Sequence, residues 1–153
     1  MRSARSHQQG FTLIELMVVF AIMVLVVSMA PVAYDRLRDG VQYRDTVRSM
    51  LSQLRTARYA AVSEGRSVRF VVNLQAKTYG LNTGMPKELP DSVVVRTTVA
   101  GQEFVPGSAA SIAFLPTGGS SGGSIEVIRK TGAGTRLRVD WLLGTVTQEP
   151  IAR

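Results

Sequence analysis

Two groups of residues in this chain carry chemistry. The first is a single carboxylate, Glu15, in the stretch "HQQGFTLIELMVVF" over residues 7–20. It stands just inside an apolar run that continues to Ala33. An acidic residue at the centre of a membrane helix costs roughly 2.5–3.5 kcal/mol on insertion scales, so Glu15 needs a counter-charge. The second group is basic: Arg129, Lys130, Arg136 and Arg138, on two expected strands joined by "TGAG". Arg136 and Arg138 are two residues apart and therefore share a strand face. With Arg129 or Lys130 they form a patch able to meet phosphates, and a solvated outer sheet face is the competing reading. Trp141 and Tyr79 are candidate base-stacking aromatics, with core or rim positions as the alternative.

Other chemistry is excluded early. The chain has no cysteine, which removes disulfides, thiolate catalysis and cysteine metal sites. Its one histidine, His7, lies in a polar N-terminal segment with Arg2 and Arg5, so histidine triads and the usual zinc sets are absent. Glu64, Glu88, Asp91 and Glu103 are scattered without metal spacing, and Asp140 has no base system beside it. No calcium-loop cluster of acids occurs. The reading is of a non-enzyme without cofactor or metal. "PTGGSSGG" (116–123) lacks the Lys-Ser/Thr of a phosphate loop and opens no helix, so it is a hairpin or strand connection. Eighteen Lys and Arg against eleven Asp and Glu give a formal charge of +7, which raises nucleic acid or an anionic surface as a partner.

The elements that must position these groups follow from periodicity. Residues 16–33, "LMVVFAIMVLVVSMAPVA", hold no charge. With 11–14 added they reach the roughly 20 residues needed to cross about 30 Å of hydrocarbon. A signal peptide would have a shorter apolar core and a cleavage site after it; "SMAPVAY" offers small residues, but the length of the run and Glu15 favour a membrane helix. Arg2 and Arg5 put its N-terminus on the cytoplasmic side. From Tyr34 to Glu64, apolar residues recur at Leu37, Val41, Val47, Leu51, Leu54, Ala57 and Ala61, mostly three or four apart, which predicts an amphipathic helix. Gly65 supplies its stop, and Pro31 and Gly40 are expected bends. Beyond Arg66, the runs "RSVRFVVNL", "DSVVVRTTV", "SIAFL", "SIEVIRK" and "TRLRVDWL" alternate with turn signals. They predict one small antiparallel sheet with a face on the amphipathic helix, hence an α+β fold.

Gly10-Phe11-Thr12-Leu13-Ile14-Glu15, after a short basic leader and before an apolar run, resembles the processing signal of type IV pilins and pseudopilins. The resemblance implies a cut by prepilin peptidase between Gly10 and Phe11, methylation of Phe11, and an assembly role for Glu15. Family members commonly carry their helix-bending proline one residue later than Pro31. "FLPTGGSSGGSIEVI" with "TRLRVDWLLGTVTQ" is similar to the C-terminal half of H-type minor pseudopilins of type II secretion, a half shared with T-type minor pilins. The implied organisation is a cleaved leader (1–10), a transmembrane and assembly helix (11–33), an amphipathic helix (34–65) and a β-rich head (66–153). The implied location is the bacterial inner membrane, single-pass, with the head in the periplasm. Implied partners are major and minor pseudopilins, prepilin peptidase and the membrane. The expected function is that of a minor pseudopilin at or near the tip of a pseudopilus that drives protein export. The alternative is a minor type IV pilin that takes up DNA or primes pilus assembly. Loss of Arg2 and Arg5 with the leader lowers the formal charge from +7 to +5 and keeps DNA in view.

The junction generates a direct test. Mass spectrometry of membrane-extracted protein should give N-methyl-Phe11 as the first residue, and Gly10→Val should block the cut because a branched side chain obstructs the peptidase. An N-terminus beyond Ala30 would instead mean an ordinary signal peptide.

Overall fold

The computed structural model describes residues 11–99, 102–104 and 109–151; of 29–36 and 102–104 the backbone alone is described. The leader, Gly10 included, lies outside the described residues. The chain divides into two units, Met1–Arg38 and Asp39–Arg153.

Helix α1 runs from Leu13 to Glu64 and ends at Gly65, whose φ of 64° is the left-handed conformation that stops a helix cheaply only with glycine. Within the second unit its buried stripe is Tyr43, Val47, Met50, Leu54, Ala57 and Ala61. The steps of four and three place all six on one face. This corrects the expected stripe in part. Val41 is exposed and Leu51 only partly buried, whereas Tyr43 and Met50 are core. In the first unit Leu37 is also exposed.

The strands are β1 (Val68–Asn73), β2 (Thr78–Leu81), β3 (Lys87–Glu88), β4 (Val93–Val99), β5 (Gln102–Phe104), β6 (Ala109–Phe114), β7 (Gly123–Arg129), β8 (Gly134–Val139) and β9 (Val146–Ile151). They form two antiparallel sheets, β3-β2-β1-β6 and β5-β4-β7-β8-β9, and not the single small sheet expected. The five expected runs fall on β1, β4, β6, β7 and β8, although β8 stops at Val139 and leaves Trp141 and Leu142 in a turn. The Gly-rich segment after β6 first turns back on that strand, with Phe114 and Ser120 in an antiparallel bridge and the Leu115 N–H on the Gly119 carbonyl at 2.9 Å. It then carries the chain from one sheet to the other, and a Cβ at Gly123 (φ 139°) would lie 2.7 Å from the Thr98 carbonyl oxygen.

Both sheets alternate inward buried and more exposed residues, along β1 and β6 in the first and β8 in the second, so each presents one apolar face. Val68, Phe70, Val72, Ile112 and Phe114 from the first sheet join Val95, Ile125, Val127, Leu137 and Val139 from the second, with the α1 stripe, in one core. Polar groups reach into it with partners: the Tyr43 hydroxyl lies 2.7 Å from Thr135 Oγ1, and Ser92 Oγ donates to Gln42 Oε1 at 2.7 Å. Among the described residues Thr97 Oγ1 is buried without one.

Leu54 is fully buried on the stripe. Leu54→Ala should destabilise the Asp39–Arg153 unit by about 2–5 kcal/mol in urea denaturation. Leu142→Ala, at an exposed site, should stay within about 0.5 kcal/mol. Equal effects of the two would refute the assigned core.

Candidate functional site

The first site is the start of α1. Thr12 precedes the helix, and its Oγ1 accepts a hydrogen bond from the Glu15 N–H at 3.2 Å. The Thr12 carbonyl accepts the first helical bond, from the Leu16 N–H at 3.2 Å. Thr12 is thus an N-cap, worth typically about 1 kcal/mol. Glu15, three residues on, occupies the capping-box position, where a negative charge also meets the positive end of the helix dipole. Thr-x-x-Glu is legible in the sequence as this signature, although the polarity of Glu15 alone does not point to it.

Behind Glu15 the helix is apolar on every side. Each large apolar side chain from Phe11 to Val27 is more than half exposed, from 51% at Val18 to 82% at Phe11. Ser28, the polar exception, returns its hydroxyl to the Leu25 carbonyl at 2.7 Å. A helix hydrophobic all round is made to be covered by lipid or by other helices. Among the described residues no helix is long and apolar enough to cross a membrane; the apolar sequence continues through 29–33, where side chains are not described.

The second site is the outer face of the five-stranded sheet. Arg136 and Arg138 share it, as their spacing requires, with Leu137 buried between them. The other two basic residues do not join them. Arg129 follows the inward positions of β7, and its guanidinium lies 4.1 Å above the Tyr43 ring, a cation–π contact. Lys130 turns to Asp39 at 3.8 Å. The four-residue patch is therefore split: the pleat sends Arg129 to the inner side of β7, and Lys130, in the turn beyond the strand, reaches Asp39 instead.

Arg136 is also engaged. Its Nε and Nη2 donate to Glu126 Oε1 at 2.9 and 2.6 Å, and this carboxylate holds the guanidinium above its already high ordinary range. Strand register places Arg96, Glu126, Arg136 and Glu149 in one row across β4, β7, β8 and β9, with alternating charge. Opposite charges on facing strands attract, so the row is a stabilising device of the sheet. It was invisible before the register was known.

Arg138 stands in the next row, opposite Ser124 and Thr147. With Trp141, Thr98 and Ser124 it lines an open cleft of about 460 Å³. The Trp141-Leu142-Leu143 turn is held by Asp140, whose Oδ1 accepts from the N–H groups of Leu142 and Leu143 at 2.9 and 2.7 Å. All three side chains are exposed, so Trp141 remains able to stack. Tyr79 does not; it is buried with its ring 6.3 Å from that of Phe70. Among the described residues no cluster of His, Asp or Glu is placed to hold a metal ion.

Comparison with known proteins addresses both ends of the chain. Residues 5–31 match the prokaryotic N-terminal methylation motif, and residues 46–143 match the type II transport protein GspH. Type II secretion system protein H of Xanthomonas campestris pv. campestris is 30% identical over 147 residues, covering 96% of this chain and 86% of that protein. The solved minor pseudopilin EpsH from the type 2 secretion system of Vibrio cholerae aligns with a TM-score of 0.51 at 10% identity, covering 72% of this chain and 97% of that one. This last likeness is one of fold. A helix-led head with two antiparallel sheets, a methylation motif at its start and a family match through most of its length have one conclusion: the chain belongs to the GspH family of type II transport proteins.

Proposed function

We propose that this chain is a minor pseudopilin of a type II secretion system, with a structural and not an enzymatic role. Prepilin peptidase cuts between Gly10 and Phe11, Phe11 is methylated, and residues 11–33 hold the protein in the inner membrane as a single pass. The head stands in the periplasm. The subunit then leaves the bilayer for a place at or near the tip of a periplasmic pseudopilus, among major and minor pseudopilins, and the growing filament drives protein export. The observation that carries this reading is the pairing, in one chain, of the methylation motif over 5–31 with a GspH head over 46–143.

The apolar surface of α1 supports two successive environments. Lipid covers it first, and neighbouring helices cover it next. Head-to-tail stacking of such helices gives contacts that do not close on themselves, which is the geometry of a filament. Glu15 selects the register. Cleavage creates a cationic amine at Phe11, which stays cationic when methylated and can neutralise the Glu15 carboxylate of its own or a neighbouring subunit. Attraction between desolvated charges mostly offsets their desolvation, so the pair contributes alignment more than stability. The alternative, DNA capture by a minor type IV pilin, rests on a basic patch that internal pairing reduces to Arg138 beside Trp141.

Glu15→Leu should insert in the membrane at least as well as the wild type, since a more apolar helix inserts more readily. Its crosslinking to partner pseudopilins should drop sharply. Unchanged crosslinking yield in the variant would rule out the registering role.

A further inference from the structure

We propose that the outer face of the five-stranded sheet carries, between Arg138 and Trp141, a binding site for a carboxylate-bearing sugar. The inference rests on this face of the head alone and not on the proposed place of the chain in a filament. Strand register sets Thr98, Ser124, Arg138 and Thr147 in one row across β4, β7, β8 and β9. Neighbouring strands are about 4.8 Å apart, so the first three present two hydroxyls and a guanidinium at even steps. Asp140 and Trp141 follow at the end of β8. With Thr98, Ser124 and Arg138 they line the open cleft of about 460 Å³, a size within the range of small-molecule sites.

The fold holds the aromatic edge of this cleft in place. The Trp141 carbonyl accepts from the Ser120 N–H at 2.9 Å. The Asp140 carbonyl accepts from Ser120 Oγ at 2.8 Å and from the Gly144 N–H at 3.0 Å. With the Asp140 Oδ1 bonds to Leu142 and Leu143, these fix the backbone of the turn from both sides. A Cβ at Gly122 (φ 72°) would lie 3.1 Å from Trp141 Cβ, so glycine lets the stem of the indole rest against the segment after β6. The side chain is nonetheless 68% exposed. A large flat apolar group kept ordered in water loses little freedom when a ring settles on it, which makes it a ready stacking platform.

The polar groups decide which ring. Among the described residues Arg138 forms no ion pair, whereas Arg136 beside it is committed to Glu126. One uncommitted guanidinium matches one carboxylate, which it can meet with two parallel N–H donors. Asp140 turns Oδ1 onto the Leu142 and Leu143 N–H groups, and its second carboxylate oxygen has no partner among the described residues. That oxygen accepts from hydroxyl donors, and the Ser124 and Thr98 hydroxyls both donate and accept. A pyranose has an apolar C–H face to lie on the indole and hydroxyls around its rim for the row and for Asp140. A carboxylate on the same sugar completes the set at Arg138. A nucleic acid would bring a base for Trp141 but set its phosphates beside Asp140. An apolar peptide would leave Arg138 and the hydroxyls unused.

The test uses the full chain in detergent micelles with Trp141 as reporter, because it is the chain's one tryptophan. Its emission should change saturably with the N-acetylglucosaminyl–N-acetylmuramic acid disaccharide or with trigalacturonic acid. Their neutral counterparts, chitobiose and methyl-esterified trigalacturonate, should bind about tenfold or more weakly for want of the carboxylate. Arg138→Gln should lose about the same factor toward the acid sugars and leave the neutral ones unchanged. Arg138→Lys, which keeps the charge, should recover part of the loss, and this separates lost pairing from lost folding. Emission indifferent to both acid sugars would overturn the proposal. So would equal affinity for acid and neutral sugars, a response that Arg138→Gln leaves intact, or tighter binding of a single-stranded oligonucleotide than of either acid sugar. None of these outcomes bears on the secretion role, which the Glu15→Leu crosslinking tests separately.

Discussion

A carboxylate on an otherwise apolar helix surface is the constraint from which the rest of this molecule follows. Within one chain Glu15 is accommodated by local means. It sits in the first turn of α1, with its N–H on Thr12 Oγ1 and its charge at the positive end of the helix dipole. That arrangement costs nothing at a water-exposed helix start. Once the large apolar side chains from Phe11 to Val27 are covered, water is gone and the dipole alone is a weak counter-charge. A full cation is then required, and the nearest one that the sequence supplies is the amine that cleavage after Gly10 would create. Processing, membrane residence and assembly are thereby linked through one residue in the proposed mechanism.

The head obeys a different economy of charge. Its exposed sheet face carries Arg96, Glu126, Arg136 and Glu149 in one alternating row, and Arg129 and Lys130 are turned toward α1 by a ring and a carboxylate. Positive charge that looks like a patch in the sequence is thus largely consumed in holding strands to one another and to the helix. Among the described residues Arg138, on the same sheet face, forms no ion pair.

How much of this was legible in the sequence differs by element. The helix and its Gly65 stop, the α+β class and five of the strands follow from periodicity and turn residues. The short strands β2, β3, β5 and β9 do not, because two to six residues such as "TYGL" or "VTQEPI" carry too little alternation to stand out. The division into two sheets was hidden as well. It depends on whether the Gly-rich link, after its turn back on β6, stays in that sheet or leads into a second one, and a run of glycines permits both. The core stripe was misplaced near Val41 because the apolar pattern continues along α1 past the point where the head covers it. Glu15 was legible for a reason of energy: no other residue in the run from Phe11 to Ala33 is charged. The basic patch failed for a reason of geometry, since side-chain direction on a strand depends on parity and pairing depends on register.

The central claim, that Glu15 is an ionised group matched by the Phe11 amine in the assembled state, can be observed without perturbing either residue. Infrared spectroscopy of purified filaments containing the subunit labelled with ¹³C at the Glu15 carboxyl distinguishes carboxylate from carboxylic acid by their separate stretching bands. The account predicts the carboxylate band at neutral pH in the water-excluded assembly. A carboxylic acid band there would contradict it, because a neutral Glu15 needs no cationic partner and could not set the register.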